Sequence, residues 1–370
     1  MPVNLDRANM TANSEHPIER RLSVAPMMDW TDRHCRFFHR LLSPDALLFT
    51  EMVTAEAILH GDLDRLLGHD RAEHPLALQI GGSNPERLAA ATKLAVGFGF
   101  DEINLNVGCP SDRVQSGRFG ACLMAEPDLV ADCVAAMQQA TTMPVTVKCR
   151  IGIDDMDEET GLDIFVDKVA AAGVTIFYLH ARKAWLNGLS PKENRDVPPL
   201  NYDRARRLAI RRPDLMVHLN GGLTDPKAII SELPQFANEM TSEITNEMTD
   251  EMTSVMAGEI TGVMAGVMIG RAAYKTPMVL AKLNEAIFDR AGLSRLEAAM
   301  AMADYGDRMA KDGVPLHSVT RHMLGLYAGQ RGAKHWRRRL GEEARLSEDG
   351  GRLIREAALA CEEMAAEWAA

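Results

Sequence analysis

The chain has 370 residues, 46% of them hydrophobic, and a formal net charge of −11. That composition supports a sizeable core and excludes global disorder, and the length suits a barrel of about 250 residues with a second domain of about 75. No apolar run reaches the roughly 18 residues of a membrane span, and the polar first 20 residues read as a loose tail on a cytoplasmic protein.

In chain order, β-rich runs fall at 21–26, 47–53, 75–81, 101–106, 144–150, 175–180, 216–220 and 266–270. Stretches with helical spacing separate most of them. The segment 85–98 opens on Ser83-Asn84-Pro85-Glu86 and 127–140 on Pro127-Asp128, both start signals for helices. Strand and helix alternating eight times predict an α/β fold, a TIM (β/α)8 barrel over 21–293. An open doubly wound sheet would carry G-x-G-x-x-G after its first strand, and none is present. From Ser294 the pattern is helical only, which predicts an all-helical C-terminal domain over 294–370. Residues 238–262 form a degenerate acidic repeat, expected as an insertion before the eighth strand.

The charge is unevenly spread. Between Gly313 and Leu340 lie Arg321, Arg331, Lys334, Arg337, Arg338 and Arg339 with no acid, and Trp336 sits among them. An acidic protein with one basic patch suits a polyanionic ligand docked at one place. Cys35, Cys109, Cys122, Cys133, Cys149 and Cys361 form no C-x-x-C pair, so neither a metal site nor a disulfide framework is expected.

Barrel enzymes keep their chemistry at the C-terminal ends of the strands, and polar or unusual residues recur there. They are Pro26-Met27-Met28, Gln79, Asn106 before Gly108-Cys109-Pro110, Lys148 and Arg150, His180, Asn220-Gly221-Gly222, and Gly270-Arg271. The glycine turns after strands seven and eight, with Arg271, occupy the usual phosphate position of the fold. A flavin mononucleotide (FMN) fits: phosphate on the glycines, Lys148 near the ring edge where negative charge builds, Gln79 toward the pyrimidine portion, and Pro26-Met27-Met28 against the ring. Cys109, in a rigid Gly-Cys-Pro loop on the same rim, is expected to act as a general acid giving a proton to carbon. The alternative for that thiol is an inert buried residue.

The run Ile103-Asn104-Leu105-Asn106-Val107-Gly108-Cys109-Pro110, with Val114 and Gly120-Ala121, resembles the signature of the tRNA-dihydrouridine synthases. The runs 25–36, 180–195, 218–222, 267–274 and 320–339 are similar to the branch acting at positions 20 and 20a of the D-loop. The resemblance implies that FMN, reduced by NADPH, reduces the C5–C6 bond of uridine, with hydride going to C6 and Cys109 giving the proton to C5. It implies Pro26, Met27, Met28, Gln79, Lys148, His180, Asn220, Gly221, Gly222, Gly270 and Arg271 for FMN. It also implies Asn106 near the target uracil, Lys192 and Arg195 in the loop after strand six, and Arg321, Arg337 and Arg338 in a tRNA-binding helical domain. A monomer is expected, with tRNA and NADPH as partners and neither membrane nor metal. The rivals are a small-pyrimidine reductase similar to dihydroorotate dehydrogenase and a noncatalytic RNA-binding barrel.

Overall fold

The structure is a computed structural model that describes residues 18–111, 114, 117–236, 263–346 and 350–369. The acidic insertion at 238–262 and most of the expected tail lie outside the described residues.

Eight strands run parallel: β1 (Leu22–Val24), β2 (Leu48–Thr54), β3 (Leu76–Gly81), β4 (Glu102–Val107), β5 (Val145–Arg150), β6 (Ile176–His180), β7 (Met216–Asn220) and β8 (Gly266–Ile269). Neighbours in sequence are neighbours in the sheet, and β8 pairs with β1 through Leu22↔Val267. Leu47 N donates to Leu22 O at 3.0 Å and Val24 N to Leu47 O at 2.9 Å, which joins β1 to the start of β2 and closes the ring. The result is the expected TIM barrel with a helical C-terminal region. β1 is shorter than the expected 21–26, so Pro26-Met27-Met28 lie in the turn beyond it.

Side chains alternate along each strand between two environments. Ile103, Leu105 and Val107 of β4, Val145, Val147 and Cys149 of β5, and Phe177 and Leu179 of β6 join the continuous core under the helices. Their partners one residue on point inward, where Phe49, Ala77, Ile176, Tyr178 and Met268 form a separate small cluster. Helices supply the outer layer, several of them with a clear start signal. Asn84 accepts from Arg87 N ahead of Pro85–Val96, Pro127 opens Pro127–Gln139, and Asp32 accepts from His34 N and Cys35 N to cap α1 (Arg33–Leu42). Beyond the barrel, Ser294 and Glu297 form a capping box on Arg295–Lys311, followed by Leu316–Thr320, Ala333–Gly341 and Arg352–Ala369.

The barrel interior is not wholly apolar. Arg20 Nε donates to Glu102 Oε2 at 2.8 Å, and Thr146 Oγ1 donates to Glu102 Oε1 at 2.7 Å. Asn104 Nδ2 donates to Thr146 Oγ1 (2.8 Å), Gln79 Nε2 to Asn104 Oδ1 (2.8 Å), and Asn106 Nδ2 to Gln79 Oε1 (2.8 Å). All six side chains are buried. The strand register permits this chain of bonds, because Gln79 lies beside Asn104 and Asn104 beside Thr146 on adjacent strands.

Removing one partner of a buried ion pair leaves an uncompensated charge. Arg20→Met is therefore expected to lower unfolding free energy by about 3 kcal/mol or more, read from urea denaturation. Stability equal to that of the unsubstituted protein would show that Glu102 does not depend on Arg20.

Candidate active site

The C-terminal ends of the strands open into one cavity of about 940 Å³. Its lining includes Pro26, Met27, Met28, Gln79, Asn106, Cys109, Lys148, His180, Arg195, Asn220, Gly221, Gly222, Gly270 and Arg271. All eleven residues expected around a flavin are thus brought to one place, together with Cys109. Lys192 is exposed at the start of the short turn Glu193–Arg195 and is not part of the lining. Arg321, Arg337 and Arg338 belong to the helical region.

Lys148 projects inward from β5, in register with Asn106 on β4. Its Nζ donates to Asn220 Oδ1 at 3.1 Å, and no carboxylate among the described residues compensates its charge. Burial, and then the charge of Arg150, pushes its pKa down to about 8. Asn220 is fixed in turn by donating from Nδ2 to Met268 O at 2.7 Å. His180 is held neutral: burial comes first, then Arg150, Lys148, Arg182 and Arg271, and together they push its pKa well below the usual histidine range.

Gly221 follows Asn220 with φ +115°, and a Cβ there would stand 2.6 Å from His180 Cδ2. Only glycine fits that turn against the imidazole. Among the described residues no acceptor meets the backbone N–H of Gly221 or Gly222. Arg271 extends over this region, paired with Asp196 Oδ1 at 2.7 Å and donating to Arg195 O at 3.2 Å. Two unpartnered N–H groups and a cation beside a cavity make an anion cradle.

Cys109 is half-buried across the cavity, with Sγ 3.6 Å from Ser111 Oγ. Two devices hold its loop. Asn106 Oδ1 accepts from Gly108 N (3.1 Å) and Cys109 N (3.0 Å), and Cys109 O accepts from Ala121 N (2.9 Å). Gly120 lets that second contact form: with φ +76°, a Cβ there would lie 2.6 Å from Cys109 O and 2.3 Å from Val114 Cγ1. The sequence reading placed Asn106 near the substrate. Here its Oδ1 holds the Cys109 loop and one Nδ2 N–H meets Gln79, while the residue also lines the cavity.

Arg150 has a part that sequence reasoning did not assign. It is 3% exposed, and its guanidinium donates to Gly108 O, Lys183 O and Asn194 O, each at 2.9 Å. It braces the Cys109 loop against the loop after β6. Burial pushes its pKa down to about 10, with Cys109 acting in the opposite sense. The only available signal was its spacing two residues beyond Lys148 on the inward face of β5. Trp30, stacked on Tyr274 with centroids 4.4 Å apart, and Lys275 also line the cavity without having been singled out.

The basic patch divides on inspection. Trp336 is fully buried and donates from Nε1 to Met323 O at 2.7 Å, so it is a core residue and not a surface ring for nucleic acid. Arg339 is paired with Glu343 and Glu356, and Arg321 with Asp32 at 2.6 Å. The Arg321 and His322 contacts hold the Asp32 carboxyl well below the usual carboxylate range despite its burial. Arg337 and Arg338 are exposed and have no ion pair among the described residues. The other cysteines lie away from this chemistry: Cys35, Cys133, Cys149 and Cys361 are buried, and Cys122 donates to Phe119 O at 3.2 Å. Among the described residues, no group of His, Cys, Asp or Glu is placed to hold a metal ion, and no helix is long and apolar enough to cross a membrane.

A closed α/β barrel whose active rim sets a thiol, an uncompensated lysine and a glycine cradle around one cavity defines a barrel enzyme. The family model described as dihydrouridine synthase (Dus) matches residues 23–362, and the chain belongs to that family. It is 51% identical over 337 residues to the tRNA-dihydrouridine(20/20a) synthase of Xanthomonas campestris pv. campestris, covering 91% of this chain and 92% of that protein. Similar proteins of the same name occur in Shewanella oneidensis (48% identical, 93% and 94% covered) and Vibrio cholerae (48%, 91% and 95%).

Because Lys148 has a lower pKa when folded than the roughly 10.4 of an unfolded chain, the unfolded chain binds more protons between the two values. Folding stability should therefore rise with pH across that window. Lys148→Met is expected to raise the Tm of the ligand-free protein at pH 7 by about 2 °C. The gap should close as pH climbs from about 8 to about 10.4. A Tm unchanged or lowered at pH 7 would mean that this ammonium is not an uncompensated burden.

Proposed function

We propose that this chain reduces the C5–C6 bond of uridine to dihydrouridine at positions 20 and 20a of tRNA, the positions that its relatives' names state, using FMN and NADPH. The observation that carries the reading is the convergence, in the cavity that also holds Cys109, of a lysine and two glycine N–H groups that have neither a carboxylate nor an acceptor, respectively, among the described residues. These groups fit a phosphate and an anionic ring edge. A cavity of about 940 Å³ is also large enough for a cofactor with a base beside it.

On this reading Gly221, Gly222, Gly270 and Arg271 hold the phosphate. Lys148, fixed by Asn220, faces the ring edge where negative charge accumulates, and binding of that charge restores its own. Neutral His180 offers a hydrogen bond without adding a further positive charge. Gln79 keeps one N–H free after its bonds to Asn104 and Asn106, and Pro26, Met27 and Met28 pack against the ring face. Bound there, FMN would supply to C6 of the uracil a hydride drawn from NADPH. Cys109 gives its thiol proton to C5, and the thiolate left behind lies in the field of Arg150 and Lys148.

The barrel, taken as 21–293, carries the chemistry, and the helical region, taken as 294–370, contributes to tRNA docking. Arg337, Arg338, Lys192 and Arg195 are the phosphate contacts that are free to serve. Arg321 would have to share its charge with Asp32. The target base must leave its stack to reach the cavity, and backbone contacts fix the tRNA body while it does so.

Purified protein incubated with NADPH and tRNA lacking dihydrouridine should yield uridine heavier by two hydrogens at the D-loop, read by nucleoside mass spectrometry. Oxidation of NADPH by the flavin-loaded protein with no such gain would overturn the substrate assignment. Cys109→Ala should slow the single-turnover rate by roughly 100-fold or more while leaving flavin content and tRNA affinity unchanged. An unaltered rate would remove Cys109 as the proton donor.

A further inference from the structure

We propose that Trp185 is a stacking platform for an unpaired base of the substrate RNA beside the active-site mouth; this rests on the RNA reading above. Trp30 is stacked on Tyr274 and Trp336 is buried against Tyr327, but Trp185 is 39% exposed and has no ring partner among the described residues. Its indole N–H meets no acceptor among the described residues.

An exposed tryptophan on a rim loop would ordinarily sit on a loosely held backbone. This one is clamped on both flanks. Ala184 N donates to Gly152 O at 3.0 Å and Asp154 N to Ala184 O at 2.8 Å, which continues the β5 side of the barrel past its rim. Leu186 N donates to Asp154 Oδ1 at 2.8 Å. Asn194, fully buried, accepts from Trp185 N through Oδ1 (2.8 Å) and donates from Nδ2 to Trp185 O (2.9 Å) and Leu189 O (3.1 Å). Arg150 then holds Lys183 O and Asn194 O with the same guanidinium that holds Gly108 O beside Cys109. The backbone carrying the indole is thereby tied rigidly to the loop carrying the thiol.

The charge around the ring selects the occupant. Lys183 Nζ lies 5.9 Å from the ring centroid and is anchored to Met156 O at 2.7 Å. Arg195, adjacent to Asn194, lines the cavity, and Lys192 is exposed just before it. A rigidly held ring with Lys183 beside it, and with Lys192 and Arg195 flanking exposed Glu193 on the segment that clamps its backbone, suits a base with its flanking phosphates, because stacking tolerates any base and the cations meet the backbone. Extracting the target uridine leaves a neighbouring base without its stacking partner, and Trp185 supplies a replacement surface.

The test is the dissociation constant of fluorescently labelled tRNA for the flavin-loaded protein and for its Trp185→Ala and Trp185→Phe variants, read by anisotropy. Trp185→Ala should weaken binding roughly tenfold, while Trp185→Phe stays within about threefold. Equal affinity of Trp185→Ala and the unsubstituted protein overturns the platform even where dihydrouridine formation is established. So does equal weakening by both variants, which would mean that the site needs the whole indole as packing and not an aromatic face. Tight tRNA binding without dihydrouridine formation would instead sink the functional reading and leave the platform standing. An unsubstituted protein that does not bind tRNA overturns both.

Discussion

Along the barrel axis a continuous line of side-chain hydrogen bonds leads from Arg20 near the N-terminal rim, through Glu102, Thr146, Asn104, Gln79 and Asn106, to the backbone N–H groups of Gly108 and Cys109. Unmet polar groups at this depth are costly, and each of the three carboxamides is met at both its oxygen and its nitrogen, whereas Arg20 Nη2 at the lower end has no partner among the described residues. The column therefore has one arrangement, and the orientation of each carboxamide is set by its neighbour below. Its upper end is the clamp on the Cys109 loop, so a constraint on packing becomes a constraint on where the thiol sits.

Arg150 applies the second constraint from the side. Three carbonyl oxygens from three segments converge on one buried guanidinium. With no carboxylate partner among the described residues, it stiffens the rim and leaves a positive field beside Cys109. Lys148 and His180 lie in that field too. One bears an uncompensated charge and the other is kept neutral, an arrangement that disfavours the ligand-free state and favours an anionic guest. Departures from ordinary burial rules of this kind concentrate at functional sites.

The barrel was legible because it depends on local signals: eight short apolar runs, helix starts such as Asn84-Pro85, and polar residues placed at strand ends. The cavity lining was legible for the same reason, since the C-terminal rim gathers strand ends regardless of loop detail. Electrostatic partners were not legible. Arg321 looks like a free cation in the sequence, but its neutralising carboxylate, Asp32, lies 289 positions away. Trp336 sits among arginines in the chain and among core residues in space, because one face of its helix packs inward while Arg337 and Arg338 point outward. Asn106 was readable as a site residue, but its task was not, because Gln79 meets it only from the neighbouring strand and no residue pattern announces that its Oδ1 turns back to the N–H groups of Gly108 and Cys109. The roles of Arg150 and Asn194 depend on carbonyls that no side-chain pattern announces.

Asn106 can act through Cys109 or on the substrate directly, and its Oδ1 contacts with the Cys109 loop point to the first. The measurement that separates these is a double-mutant cycle on the single-turnover rate of uridine reduction, using Asn106→Ala, Cys109→Ala and the pair together. If Asn106 positions the thiol, its loss alone slows the reaction, and the double variant is no slower than Cys109→Ala. Losses that multiply in the double variant would show Asn106 acting independently of the thiol, and would contradict the column as the device that places it.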